Sequence, residues 1–501
     1  FQGKKGYCIP EVYNGVPSRF YQNNGDGTFS DRSIETGFLP TPGKTLGVAE
    51  LDHNKDGWPD LVVANDSERD LLYENDRDGT FTEKGVSKGM AFDPMGRARA
   101  GMGVDVGIVD KSGEITIFIG NFQNQMFSVY RHTPDGVFTD YSDISKLGRE
   151  SLKVLTFGLF LIDVELDGDL DLFIGGRSIP GKYPNSPKSY LLQNDGLGKF
   201  QDVTEKSFKN LAEIGMVTDA MWTDFNGDQV IDLIVVGEYM PIELFENNGK
   251  EFRDVTANSG LQDSEGWWNA IEQADFDNDG DMDYIVGNFG LNSQLKASPE
   301  QPVKLYSKDF DGNGSLDPIL TSYLMGESYP VFSKDDLVGQ LSGLKNKYIN
   351  YSDYADQKIT DIFNAQQLSD AKVLAAKNFA TSYVENLGNG QFKITSLPVQ
   401  AQFAPIYGIL INDFNSDGNL DVLLAGNFYG TRVKYGRYDA DKGTLLLGDG
   451  SGNFRTTNSS ESGLNINGEV RDIKLVSTSS GPKYILFARN NETMAIYGLN
   501  P

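Results

Sequence analysis

The chain has 501 residues, with 71 Asp and Glu against 44 Lys and Arg and a formal net charge of −27. Such a surface repels nucleic acid, and no run approaches the ~20 apolar residues that span a bilayer. A single cysteine, Cys8, excludes a disulfide framework, a thiolate zinc site and a CxxC redox pair.

Cys8 is read as a small side chain without reactive role, and Gly3 to Tyr7 before it do not make an apolar signal region. An export signal is expected upstream of Phe1. Two motifs then alternate along the chain. One is a hairpin, first at Phe20 to Phe29, in which Asp-Gly or its equivalent joins strands of alternating hydrophobicity. The other is a strand, an acidic loop and a second strand, first at Gly47 to Asn65.

In that first loop Asp52, Asn54, Asp56 and Asp60 stand at positions 1, 3, 5 and 9, with the carbonyl of Trp58 at position 7. Alternate positions of a tight turn aim oxygens at one centre, and Ca²⁺ takes six to eight of them. A hairpin follows at Leu72 to Phe81. The next unit carries Ile108, Asp110, Ser112 and Thr116 at the ligand positions, so no metal is expected there, and its hairpin runs Tyr130 to Phe138.

The third unit reads Asp163, Glu165, Asp167, Asp169 and Asp171, with a hairpin at Tyr190 to Phe200. The fourth reads Asp224, Asn226, Asp228, Val230 and Asp232, with a hairpin at Leu244 to Phe252, and the fifth reads Asp275, Asp277, Asp279, Asp281 and Asp283. A further loop, Asp309, Asp311, Asn313, Ser315 and Asp317, follows Lys304-Leu-Tyr306 where a hairpin turn is due. Residues 334–367 have helical spacing of apolar residues and read as a short helical insertion between strands. The hairpin Tyr383 to Phe392, the loop Asp413, Asn415, Asp417, Asn419 and Asp421, the hairpin Leu446 to Phe454 and a weak acidic stretch near Asp472 complete the series.

The repeat step is roughly 50–60 residues, the length of one four-stranded sheet with its loops. The expectation is one all-β domain over 1–501, a β-propeller of four-stranded blades, about eight with seven as the alternative. Strands at Ser18 to Asp31 and Lys483 to Leu499 would pair to close it. Asp, Asn and Gly favour turns without any ion, but six copies in register point to about six Ca²⁺ sites. An EF-hand is excluded, because position 12 lacks Glu and a strand follows each loop. Extracellular loops of this kind bind Ca²⁺ at ~0.1–1 mM, which places the protein outside the cell.

Residues 7–140, with Arg19 to Phe29, Gly57 to Asn65 and Gly96 to Gly103, resemble the FG-GAP/VCBS propellers of the ASPIC/UnbV and cartilage-acidic-protein group. From about 155 onward, Gly175 to Tyr183, Gly266 to Asn269, Leu291 to Pro299 and Ala404 to Gly408 resemble VCBS-repeat surface proteins of Bacteroidetes-type bacteria. The resemblance implies an exported, Ca²⁺-binding, integrin-like propeller at the cell surface. Roles tied to the segment that follows the propeller in ASPIC/UnbV proteins are not expected to carry over to residues 1–501.

No catalytic constellation stands out. His53 and His132, the two histidines, lie at an outward loop position and beside a hairpin turn, and both are expected to face solvent. A module binding a cell-surface protein or glycan is the favoured reading, with a self-assembling surface or filament subunit as the alternative and a polysaccharide-active enzyme less favoured. Trp267, Trp268, Phe428, Tyr429 and Tyr435 are the aromatic candidates for sugar or partner contact, the two tryptophans being better read as packing between blades.

Overall fold

The structure is a computed structural model that describes residues 12–24, 28–38, 41–122, 124–153, 155–208, 210–477 and 483–499. Cys8 lies outside them. No helix among the described residues is long and apolar enough to cross a membrane. The chain forms two compact units: residues 1–181, 185–214 and 247–253 make the first, and 182–184, 215–246 and 254–501 the second.

The first unit holds three four-stranded antiparallel meanders. The first sheet is Thr45–Leu51, Asp60–Asn65, Leu71–Asn75 and Phe81–Glu83. The second is Gly101–Ile108, Ile115–Asn121, Ser128–His132 and Phe138–Asp140, and the third Thr156–Ile162, Asp171–Gly176, Tyr190–Asn194 and Phe200–Asp202. Two-stranded pairs at Tyr21–Asn23 with Phe29–Asp31 and at Val16–Pro17 with Pro42–Gly43 precede them. One apolar cluster joins the first two sheets through Val62, Leu72, Ile117 and Tyr130; another joins the second and third through Phe118, Phe127, Leu172 and Ile174. Strands buried on both faces explain why the second strand of each sheet, such as Asp60-Leu-Val-Val-Ala-Asn65, is almost continuously apolar.

The second unit continues the plan. Its sheets begin with Met216–Thr223, Ala270–Ala274 and Ile406–Asn412, followed by a three-stranded sheet of Glu469–Ser477, Lys483–Asn490 and Ala495–Leu499. Clusters around Ile234 and Tyr284, Ile285 and Leu424, and Leu423 and Phe487 lie between successive sheets. In six sheets the first strand carries a register shift near its start, between Thr45 and Gly47, Gly101 and Val104, Thr156 and Gly158, Val217 and Asp219, Ile406 and Gly408, and Val470 and Asp472. Such a bulge bends the strand, and at Gly47 a Cβ would come 2.5 Å from the Met102 carbonyl of the next sheet. Repeated four-stranded antiparallel sheets in an all-β chain fit a β-propeller.

Two features differ from the sequence-based expectation. The insertion is not only helical: between the second and third strands of the fifth sheet, Asp283–Gly287 and Ser382–Asn386, the chain builds a separate four-stranded sheet. Its order is Glu327–Pro330, Asp317–Leu324, Val303–Lys308, Lys372–Ala376. Short helices Lys334–Gln340, Ile359–Ile362 and Ala365–Ser369 cover it, burying Leu337, Leu341, Tyr348 and Phe363 against Ile319. The Asp309 loop therefore belongs to the inserted sheet. Asp472, in turn, lies inside a strand and not in a loop.

Candidate functional site

Each acidic loop joins the first strand of its sheet to the second, and position 9 is the first residue of that second strand. The six loops share one backbone path. Position 4 has positive φ at Lys55, Leu166, Gly227, Asn278, Gly312 and Ser416, and position 6 at Gly57, Gly168, Gln229, Gly280, Gly314 and Gly418. Two left-handed residues in three turn the amides of the loop inward, and glycine serves at position 6 because φ there is +72° to +98°.

Side chains then fix the turn. The amide at position 6 donates to the position 1 carboxylate in all six, at 2.7–3.2 Å. The amide at position 7 donates to the side-chain oxygen at position 5: Trp58 to Asp56, Asp169 to Asp167, Val230 to Asp228, Asp281 to Asp279, Ser315 to Asn313 and Asn419 to Asp417. Position 9 is buried in every loop, and its Oδ2 accepts from the position 2 amide. Its Oδ1 accepts from the end of the third strand, at Asn75, Asn194, Asn386 and Gly448.

These bonds use part of the accepting capacity of each carboxylate. Carboxylate oxygens of Asp275, Asp277 and Asp279 lie within 4.8 Å of one another, as do those of Asp309, Asp311 and Asp317. Asp275 Oδ1, Asp281 Oδ1 and Asp169 Oδ1 are buried without a donor. Burial, then the Asp279 charge, pushes Asp281 up to about 7; burial, then Asp167, pushes Asp169 up to about 6. A set of hard oxygen donors with unpaired buried members fits a divalent cation of the Ca²⁺ type. The chemistry such an ion supplies is charge compensation that pins the loop.

The loops are not equivalent. In the third, Glu165 accepts from Gln193 Nε2. In the first, Arg77 pairs with Asp56 at 2.7 Å. In the degenerate second loop, where Ile108 replaces the first Asp, the Arg131 guanidinium binds Asp110 and reaches Ser112 Oγ.

Both histidines differ from the sequence-based expectation. Position 2 points into the core, where other loops place Val164, Phe225, Phe276, Phe310 and Phe414, so His53 is fully buried. His132 ends the third strand of its sheet and is 9% exposed. Burial lowers the His53 pKa. The signal was present in the sequence: His53 occupies a position that is apolar in every other loop.

Trp268 is fully buried and its indole donates to the Ser264 carbonyl, while Trp267 packs edge-on to Tyr239 and Phe289. Phe428 and Tyr438 exchange backbone hydrogen bonds. Tyr429 lies beneath Arg437, and the Tyr435 hydroxyl donates to the Val331 carbonyl. Beside them a cleft of about 290 Å³ is lined by Asn292, Gln294, Lys296, Tyr435, Arg437 and Tyr438. Its amides, cations and ring edges were not singled out together from the sequence, because they come from stretches 140 residues apart.

Fold and loops together define an all-β protein of repeated sheets with acidic inter-strand turns. Within that class, residues 52–113, 163–235 and 224–286 match the FG-GAP-like repeat, so the chain carries FG-GAP repeats. No curated protein matches the sequence. Among solved structures, similar ones include a lectin of Agrocybe aegerita that recognises non-reducing terminal N-acetylglucosamine, at 15% identity and TM-score 0.43, covering 88% of each chain. The biofilm matrix protein Bap1 of V. cholerae is similar at 12% identity and TM-score 0.36, covering 92% of this chain and 89% of that one. A BBS1N chain solved with ARL6DN is similar at 8% identity and TM-score 0.37, covering 91% and 94%.

Proposed function

We propose that the chain is a calcium-stabilised β-propeller that acts outside the cell as a protein- or glycan-binding module and not as an enzyme. The observation that supports it is the backbone path shared by six loops, two of which bring three carboxylate oxygens within 4.8 Å of one another, with Asp275 Oδ1 buried without a donor. Loops of modest Ca²⁺ affinity fill only where the ion is millimolar, which supports an extracellular setting. The cleft at Tyr435, Arg437, Lys296 and Asp439 offers ring edges and charged groups suited to a polyhydroxylated ligand. The finer kinship with ASPIC/UnbV and Bacteroidetes surface proteins belongs to the same proposal.

The test is melting of the full chain with Ca²⁺ removed and restored, in wild type, Asp277→Ala and Asp110→Ala. Chelation is expected to lower Tm, and in millimolar Ca²⁺ Asp277→Ala to cost more than Asp110→Ala. Identical curves with and without Ca²⁺ would remove the calcium reading, and a glycan array or surface-extract pull-down with no hit would remove the binding one. A second reading, a subunit of a surface assembly, is favoured by Leu324 and Met325, which stand 63% and 96% exposed at the turn of the inserted sheet. Ordered polymers in electron micrographs at millimolar Ca²⁺ would select it.

A further inference from the structure

The third strands of successive sheets end in a residue that touches the loop of the preceding sheet. Asn194, Asn247 and Asn386 each donate a side-chain N–H to the position 2 carbonyl of that loop, at Val109, Val164 and Phe225 respectively. Between the first and second sheets the same two places are held by His53, at position 2, and His132, at the strand end. These are the only histidines in the chain. Their rings stand 5.9 Å apart, centroid to centroid, with Phe138 against both.

Each ring has one nitrogen on a carboxylate. His53 Nε2 lies 3.1 Å from Glu74 Oε2, and His132 Nδ1 lies 2.9 Å from Glu114 Oε2. The other nitrogens, His53 Nδ1 and His132 Nε2, are buried and have no partner. A buried polar atom left unpaired is destabilising, and a core position filled by Phe or Val in the other loops needs no imidazole. Carboxylate on one ring nitrogen and nothing on the other is the arrangement of metal-binding histidines, whose outer carboxylate fixes the tautomer and raises the basicity of the ligating atom. Two imidazoles on one ion, each about 2.0–2.1 Å from it, have centroids roughly 5–6 Å apart.

We propose that His53 and His132 form a site for one borderline transition-metal dication of the Zn²⁺ class, ligated by the two imidazoles. The ion joins the first sheet to the second where later pairs of sheets use Asn side chains. Imidazole selects such ions over Ca²⁺, so the site is chemically distinct from the all-oxygen loops. Glu74 and Glu114 are positioning residues, each also beside a lysine, Lys88 at 3.9 Å and Lys55 at 3.0 Å.

The test is Zn²⁺ titration of the full chain by calorimetry in saturating Ca²⁺, which keeps the acidic loops filled, with a Co²⁺ absorption spectrum as the structural readout. Wild type is expected to take up one Zn²⁺ and to give a Co²⁺ spectrum with imidazole ligation. His132→Asn and His53→Phe carry the residues that the other sheets use at these places, so both are expected to fold and to lose that uptake. Glu114→Gln is expected to weaken it by about 10- to 100-fold, and Asp277→Ala to leave it intact. No uptake by wild type overturns the proposal, as does uptake that survives in both histidine variants.

Discussion

Asp70 sits immediately before the third strand of the first sheet, buried, with Oδ1 accepting the Asn65 amide at 3.0 Å. Burial pushes its pKa up to about 8, against which the Asn65 bond and the Arg99 charge act only in part. The folded state therefore holds the proton more tightly than the unfolded chain, whose Asp titrates at about 3.9. Linkage then makes stability fall as pH rises from about 4 to about 8 and level off above. Asp70→Asn keeps the acceptor oxygen and carries no charge. Its stability relative to wild type is expected to rise across that window and to favour the variant at pH 8, read from urea melts at fixed Ca²⁺. A difference between the two proteins that does not change with pH would refute the buried, protonated carboxyl. The loop carboxylates cancel in this difference, since both proteins share them.

At the scale of the strand and loop, one asparagine links three elements. The Asn386 amide donates to Asp283 Oδ1, and its side chain donates to the Phe225 carbonyl, whose own amide donates to Asp232. The carbonyls of Val109 and Val164 receive the same kind of bond, from Asn194 and Asn247. Asn386→Ala leaves the Phe225 carbonyl without its donor in a buried place and is expected to cost about 1–3 kcal/mol. Asn75→Ala, whose side chain donates to the Pro59 carbonyl and accepts the Arg77 amide within its own sheet in an exposed setting, is expected to cost less. Equal losses in chemical denaturation would mean that the inter-sheet bond carries no weight. The Asp spacing made the loops legible in the sequence, because oxygens at 1, 3, 5 and 9 report local geometry. The asparagine at the strand end was not legible in the same way: Asn194 and Val109 are far apart along the chain, and their bond exists only once two sheets stack. His53 is hidden from the sequence for a related reason: a loop position suggests exposure, while position 2 alternates inward.

Across the molecule, one meander is used again and again, and the repeat is what the sequence displays best, through hairpins and acidic loops in phase. The inserted sheet is hidden in the sequence because 334–367 has helical spacing between its strands, and because Asp309 to Asp317 copies a loop of the main series. The structure shows how separable that insert is. Val303 and Ala376 are paired neighbours on adjacent antiparallel strands, so the segment leaves and returns at nearly one place. An antiparallel pair spans about 5 Å, which a short Gly-Ser linker bridges. The strands of the fifth sheet, Ala270–Ala274, Asp283–Gly287, Ser382–Asn386 and Phe392–Ser396, pair with one another and not with the insert. Replacing 303–376 with such a linker is therefore expected to leave a cooperatively folding protein. Val303 and Ala376 do pack with Phe379, so a modest fall in Tm accompanies the loss of those contacts. Calcium uptake is expected to drop by one site, because the Asp309 loop leaves with the insert and the loops at Asp52, Asp163, Asp224, Asp275 and Asp413 stay. Calorimetry of the shortened chain decides the matter: unchanged stoichiometry would show that the Asp309 loop holds no ion, and loss of all uptake would show that the insert is integral to the fold.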